Sequence, residues 1–121
     1  MQTITIGGAW VNDAGSELVI ADVDGALTGV YRTALGRADH RKEYPLVGWC
    51  NGRCLGFTVS WAPDSDSVTA WTALLHDEEL HTVWTLVRTQ AFTKGEAGIT
   101  EREAAPWEAF TVQTSRFRRQ A

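Results

Sequence analysis

The chain has 121 residues, a length that suits one domain with one hydrophobic core. A net charge of −4, with 21% charged residues, is too mildly acidic to suggest a nucleic-acid or membrane partner. No apolar run approaches the roughly 20 residues needed to span a bilayer. We therefore expect one domain over residues 1–121, in which the basic residues 115–121 form a flexible tail.

The localisation of the protein depends on whether a leader has been removed. No signal peptide precedes the segment Thr3-Ile4-Thr5-Ile6, which already resembles a strand. The protein is therefore either intracellular, or secreted or periplasmic after loss of a leader.

Alternating apolar and polar residues, interrupted by turn residues about every ten positions, predict an all-β fold. Asp24-Gly25 and Asn51-Gly52 are strong hairpin signals, because type I′ turns need positive φ at both central residues. Eight short strands joined by hairpins favour an eight-stranded antiparallel up-and-down β-barrel, or else a sandwich. The predicted strands cover residues 4–12, 16–22, 26–34, 45–50, 54–62, 67–75, 80–90 and 107–114.

In such a barrel, alternate side chains face inward and successive strands run in opposite directions. One choice of inward positions gathers polar side chains at a single end, which we call the mouth. These side chains are Asn12, Ser16, Tyr31, Thr33, Ser67, Thr69 and Glu108. A buried polar group without a partner costs about 1–3 kcal/mol, so the cluster needs its own members, water or a ligand. A small-molecule pocket is favoured over a polar plug or a wet cavity.

Aromatic side chains fall on the same inward positions. Trp10, Trp61, Trp71 and Trp84 could enclose the apolar body of a ligand, and Ser67 with Arg37 could meet an anionic tail. His40, His76 and His81 are scattered, and no metal site or catalytic constellation is expected.

Several segments, in the same order along the chain, resemble the avidin/streptavidin family. They are Gly8-Ala9-Trp10-Val11-Asn12 with Gly15-Ser16, then residues 25–31, 44–48, 55–61, 67–71 and 82–86, and finally Phe110-Thr111. The resemblance covers nearly the whole chain. It implies a barrel that binds biotin and catalyses nothing.

The resemblance also implies a role for each matching residue. Asn12, Ser16 and Tyr31 match the donors to the ureido oxygen of biotin, and Thr33 matches an acceptor of a ureido NH. Thr69 matches the residue that faces the ring sulfur, and Ser67 matches a contact of the carboxylate. The remaining expected binding residues are Leu35 and Arg37 in the loop over the mouth, and Trp61, Trp71, Trp84 and Leu86 in the aromatic wall.

The chain departs from the family at its C-terminal end. Aligning on Phe110 places Glu108 where the family has Asp or Asn, and the longer side chain could weaken biotin binding. Tetrameric members of the family take one binding-site Trp, carried before the last strand, from a neighbouring subunit. No Trp is found between Phe92 and Pro106 here, so the resemblance favours a homodimer over a tetramer. Trp49 and Trp107 could supply an interface, or could pack under loops.

Other interpretations stay open. A disulfide between Cys50 and Cys54 is as well supported as two free thiols. The alternatives to biotin binding are an avidin-type barrel for another small ligand or with weakened biotin binding, a lipocalin-like carrier, and a hydrolase that uses Glu108 as a general acid.

Overall fold

The computed structural model describes residues 6–33, 42–96 and 98–120. The strands of this part of the chain are β1 (Gly8–Asn12), β2 (Glu17–Val23), β3 (Ala26–Arg32), β4 (Tyr44–Asn51), β5 (Cys54–Ser60), β6 (Ser67–His76), β7 (Glu79–Arg88), β8 (Gln90–Gly95), β9 (Gly98–Glu103) and β10 (Phe110–Arg119). A 3₁₀ turn, Pro106–Glu108, precedes β10. Among these residues there is no helix long and apolar enough to cross a membrane.

Eight of the strands form a closed antiparallel barrel, which confirms the predicted fold. Around the barrel the order is β1-β10-β7-β6-β5-β4-β3-β2. The β2–β3 turn has positive φ at both Asp24 and Gly25, as an Asp-Gly turn requires. The β4–β5 turn differs from the prediction, because Asn51 pairs with Cys54 and the turn residues are Gly52 and Arg53.

The end of the barrel opposite the mouth is filled with apolar side chains. Leu27, Leu80 and Phe117 are buried there. Trp10 belongs to this packed region, where its indole Nε1 donates to the Ile6 carbonyl at 3.0 Å. The sequence-based suggestion that Trp10 helps to enclose a ligand is therefore not supported by its position.

The last barrel strand lies further along the chain than predicted. It runs over Phe110–Arg119 rather than residues 107–114, and residues 117–119 pair with β1. The prediction of a flexible tail over residues 115–121 is therefore wrong for 115–119. Phe117 has 0% exposure and belongs to the core, while the exposed Arg116 and Arg118 alternate with it. Outward arginines are compatible with a strand whose other face is buried.

The connection between β7 and β10 contains an unpredicted hairpin. Strands β8 and β9 pair only with each other, from Gln90↔Glu103 to Gly95↔Gly98, and form a two-stranded sheet outside the barrel. Every residue of β9 is exposed, so its sequence carries little of the apolar alternation that marked the barrel strands.

The two cysteines are free thiols. Cys50 pairs with Leu55, whereas Cys54 pairs with Asn51, which places the two side chains on opposite faces of the hairpin. Burial raises the pKa of the Cys50 thiol, and the nearby Asp22 acts in the same direction. The suggested Cys50–Cys54 disulfide is therefore absent.

Replacing Phe117 by alanine should reveal whether the C-terminal segment is part of the core. We expect Phe117→Ala to lower the free energy of unfolding by about 3–5 kcal/mol, because it empties a fully buried aromatic site. Denaturant unfolding measures this change. Val23→Ala is the control, since Val23 is 67% exposed. Equal, small effects of the two substitutions would contradict the assigned strand.

Candidate functional site

The predicted binding residues converge at the mouth because of the barrel topology. Strands β1, β3, β5 and β7 end at the mouth, and β2, β4, β6 and β10 begin there. Ten of the thirteen predicted residues lie in or beside this half of the barrel: Asn12, Ser16, Tyr31, Thr33, Trp61, Ser67, Thr69, Trp71, Trp84 and Leu86. Leu35 and Arg37 lie outside the described residues, and Glu108 lies elsewhere.

Tyr31 occupies the centre of the site. Its ring centroid lies 4.9 Å from that of Trp71 and 5.7 Å from that of Trp61, and Phe117 lies beneath it at 6.3 Å. Burial raises the pKa of the Tyr31 phenol, and a hydrogen bond with Ser16 opposes this shift only in part. The phenol is therefore protonated at neutral pH and can act as a hydrogen-bond donor.

The β1–β2 turn holds two more polar groups beside Tyr31. The Asn12 Oδ1 atom accepts hydrogen bonds from the backbone NH groups of Ala14, at 3.1 Å, and Ser16, at 2.9 Å. These bonds use the oxygen of the carboxamide, so its NH₂ group is the end that can donate to a ligand. Ser16 itself is almost completely buried.

The aromatic wall of the site is held by side-chain hydrogen bonds. Trp61 donates its Nε1–H to Thr69 Oγ1 at 2.9 Å, and Tyr44 packs edge-on against Trp61 with centroids 4.8 Å apart. The Tyr44 hydroxyl donates to Asp64 Oδ2 at 2.7 Å, and Lys42 Nζ lies 3.0 Å from the same oxygen. These two partners lower the pKa of Asp64. Sequence analysis missed the role of Tyr44, although it lies within the matching segment 44–48.

The β7 side of the mouth is accessible to solvent. Trp84 and Leu86 face inward but are only partly buried, whereas Leu80, on the same face of β7, is fully buried. Their partners on β10 are Gln113 and Thr111. The partial exposure of these two inward-facing side chains leaves the β7 side of the mouth accessible beside the aromatic wall.

Glu108 does not enter the barrel, which corrects its predicted role. It lies in the 3₁₀ turn, where both carboxylate oxygens contact the Arg102 guanidinium, with Nη2–Oε2 at 2.7 Å. The Ala105 backbone NH also donates to it at 2.9 Å. These hydrogen bonds, chiefly that from Arg102, lower the pKa of Glu108 to about 2.

The register of β10 explains this correction. Phe110 and Val112 share the strand face on which the prediction placed Glu108, and they are 59% and 63% exposed rather than inward-facing. The inward set instead has odd numbers and ends at the buried Phe117. It includes Ser115, whose Oγ lies 2.7 Å from Thr82 Oγ1. A turn does not determine which alternate residues of the following strand face the barrel interior. Alignment on Phe110 therefore assigned the wrong face of β10 to the interior.

An open groove of about 390 Å³ lies at the rim of the mouth. Ser65, Ser67, Arg88 and Thr89 contribute to its lining, and the Ser65 and Ser67 Oγ atoms are 2.8 Å apart. Arg88 was missed by sequence analysis. Continuing the inward alternation of Trp84 and Leu86 by one step would have found it.

Two tryptophans lie on the outside of the molecule. Trp49 and Trp107 are both largely exposed, so neither packs under a loop among the described residues. Both are available for contacts with another molecule.

The sequence matches the Avidin family over residues 1–119. The chain belongs to the avidin family. Afifavidin from Afifella pfennigii is 33% identical over 90 residues, which are 67% of this chain and 57% of that protein. Avidin from Gallus gallus is 35% identical over 96 residues, which are 68% of this chain and 62% of that protein. The match therefore spans about three-fifths of the length of each relative.

A solved structure of the bradavidin2–biotin complex has the same fold as this avidin-family barrel. The TM-score is 0.71 at 25% sequence identity, and the match covers 98% of this chain and 100% of that one. The family resemblance inferred from the sequence is thereby confirmed. In agreement with the prediction made for this chain, avidin-family proteins are non-catalytic.

The position of Glu108 predicts how acid affects this protein. Its pKa lies below the ordinary value of 4.5, at about 2, so its pair with Arg102 stabilises the fold above pH 4.5. That contribution is lost as the pH falls towards 2. We expect Glu108→Gln to lower the thermal midpoint at neutral pH, and the difference from wild type to shrink on acidification. Circular dichroism melts at a series of pH values measure this, and parallel profiles would contradict the pairing.

Proposed function

We propose that this protein binds biotin with high affinity, without catalysis, in the mouth of the barrel. The observation that carries the proposal is the meeting of Ser16, Tyr31 and Thr69 with an aromatic wall at the mouth of the barrel, where Trp84 and Leu86 are only partly buried. Small-molecule sites typically combine apolar walls with a few convergent polar groups. The biotin complex of bradavidin2, which shares the fold, supports this ligand.

The ureido group of biotin would occupy the deep polar part of the site. The Ser16 and Tyr31 hydroxyls and the Asn12 NH₂ group would donate to the ureido oxygen. Three donors stabilise the resonance form that places negative charge on that oxygen, and a dry pocket strengthens each bond. The buried Thr33 hydroxyl would accept one ureido NH.

The bicyclic ring of biotin would lie against the aromatic wall of Trp61, Trp71 and Trp84, with Leu86 beside it. Thr69 Oγ1 already accepts the Trp61 Nε1–H, which leaves the Thr69 hydroxyl proton to be donated elsewhere. A thioether sulfur is a weak acceptor, so the ring sulfur suits this position. The Ser67 hydroxyl at the rim would contact the valerate carboxylate.

The second candidate is an avidin-type barrel that binds another small ligand, or that binds biotin weakly. It is favoured by the position of Glu108, which is paired with Arg102 and cannot accept the second ureido NH. The inward residues of β10 offer only neutral groups such as Gln113 and Ser115. A neutral acceptor makes a weaker hydrogen bond than a carboxylate, so the measured affinity for biotin distinguishes the two candidates.

Calorimetric titration with biotin tests the proposal. We expect saturation near one biotin per chain, and we expect Tyr31→Phe or Asn12→Ala to weaken binding by about 1–3 kcal/mol, the cost of an unpaired buried group. Glu108→Gln should leave the affinity unchanged. Thr28→Val, on the exposed outer face of β3, is the structural control. A folded wild-type protein that gives no heat with biotin would refute the assigned ligand.

We also propose that the protein is a homodimer. The outer face of β6, β7 and β10 carries no charged residue across nine neighbouring positions: Val68, Ala70, Thr72, Val83, Thr85, Val87, Phe110, Val112 and Thr114. Contiguous apolar patches of this kind rarely stay exposed on a monomer. These nine positions are uncharged, so a second copy of the same face, related by a two-fold axis, suits them.

Charge placed on this face should separate the copies. We expect Val112→Arg to give the mass of a single chain in size-exclusion light scattering, where the wild type gives twice that mass. Trp49→Ala is the matched comparison, because Trp49 is exposed on β4 on another side of the barrel. If only Trp49→Ala gave a single-chain mass, the interface would lie on the β4 side of the barrel instead. A monomeric wild type would refute the dimer.

A further inference from the structure

A series of contacts leads from the partly exposed residue Asp64 to the aromatic wall of the site. Asp64 lies in the turn between β5 and β6, and its Oδ2 atom accepts the Tyr44 hydroxyl at 2.7 Å. The Tyr44 ring, which has 0% exposure, packs edge-on against Trp61. Trp61 in turn donates its Nε1–H to Thr69 Oγ1 at 2.9 Å. Asp64 would therefore act on a ligand through Tyr44 and Trp61.

Each hydrogen bond in this series has a fixed direction. The hydrogen bonds from Tyr44 and Lys42 lower the pKa of Asp64, so its carboxylate is ionised at neutral pH and can only accept. The Tyr44 hydroxyl therefore donates to it. The indole Nε1–H of Trp61 can only donate, so Thr69 Oγ1 must accept. The hydroxyl proton of Thr69 is thereby left for a third group, which a ligand in the mouth can supply.

The backbone of the same turn holds the other end of Trp61. The backbone NH groups of Asp64 and Ser65 donate to the Trp61 carbonyl at 3.0 and 3.1 Å, and the Trp61 NH donates to the Ser67 carbonyl at 3.2 Å. A substitution of the Asp64 side chain leaves these backbone bonds in place. It therefore tests the restraint on the indole separately from the conformation of the turn.

The bond from Tyr44 is the stronger of the two side-chain contacts of Asp64. The side chains of Lys42 and Asp64 are 38% and 34% exposed, and ion pairs in such solvent-accessible positions contribute little because water screens them. A hydrogen bond to an ionised acceptor is shorter and stronger than one between neutral groups. Removal of the carboxylate would therefore chiefly remove a restraint on the Tyr44 ring.

We propose that Asp64 is a positioning residue for the ring of the ligand: through Tyr44 it fixes the Trp61–Thr69 pair, and so makes the site prefer a cyclic thioether to an analogue without sulfur. This inference rests on the proposed binding of biotin. In that binding mode the ring lies against Trp61, and the Thr69 hydroxyl proton faces the ring sulfur. If the indole shifts, Thr69 no longer has a fixed donor, and its own proton is no longer held toward the sulfur.

Biotin and desthiobiotin, which lacks the sulfur atom, are the probes. Calorimetry measures both affinities for the wild type, Tyr44→Phe, Asp64→Ala and Asp64→Asn. We expect Tyr44→Phe and Asp64→Ala each to weaken biotin binding about tenfold, the range for one hydrogen bond to a charged group, and to weaken desthiobiotin binding less. Asp64→Asn, which keeps a neutral acceptor, should retain part of the preference. The double substitution should weaken biotin no further than either single one, because both remove the same bond.

Asp66→Ala is the matched control. Asp66 accepts the Thr89 hydroxyl at 2.9 Å, a bond of the same kind in the same β5–β6 connection, so its loss should leave the ratio of the two affinities unchanged. Equal weakening of both ligands in Tyr44→Phe and Asp64→Ala would refute the selectivity and leave biotin binding intact, as would unchanged affinities in both variants. Failure of the wild type to bind biotin would refute the proposed function, and this inference with it.

Discussion

Closure of the barrel by β10 is the constraint on which the rest of the structure depends. This strand pairs with β7 over nine residues and with β1 over three, so it joins the two sides of the sheet that would otherwise be open edges. Phe117 anchors it in the core beneath Tyr31. Without this closure the inward-facing polar groups of β1 and β3 would face water and would not line an enclosed site.

Inside the closed barrel, polar and aromatic groups stabilise each other's positions. Trp61 is fixed by its bond to Thr69 and by its edge contact with Tyr44, whose hydroxyl is bonded to Asp64. A buried polar group is costly unless it is paired, so each of these bonds restricts a side chain to one orientation. Such restriction before binding lowers the entropy that a ligand must remove, which favours affinity.

The rim of the mouth differs from its interior in both charge and exposure. The interior has neutral donors and acceptors near Tyr31, whereas the groove outside it combines Arg88 with Asp66 and Glu103. The Glu108–Arg102 pair lies outside the barrel, where it ties the 3₁₀ turn to β9. The charged residues of this region therefore lie at the rim and in the β7–β10 connection, and the neutral polar groups lie inside the mouth.

The fold and most of the site follow from local patterns. Alternation, hairpin turns and strand direction bring Asn12, Tyr31 and Thr69 to one end of a closed barrel once the inward positions of each strand have been chosen correctly. Only the tertiary structure decided the register of β10. The preceding turn and the β8–β9 hairpin break the alternation, so local pattern could not determine that Phe117 faces inward or that Glu108 pairs with Arg102.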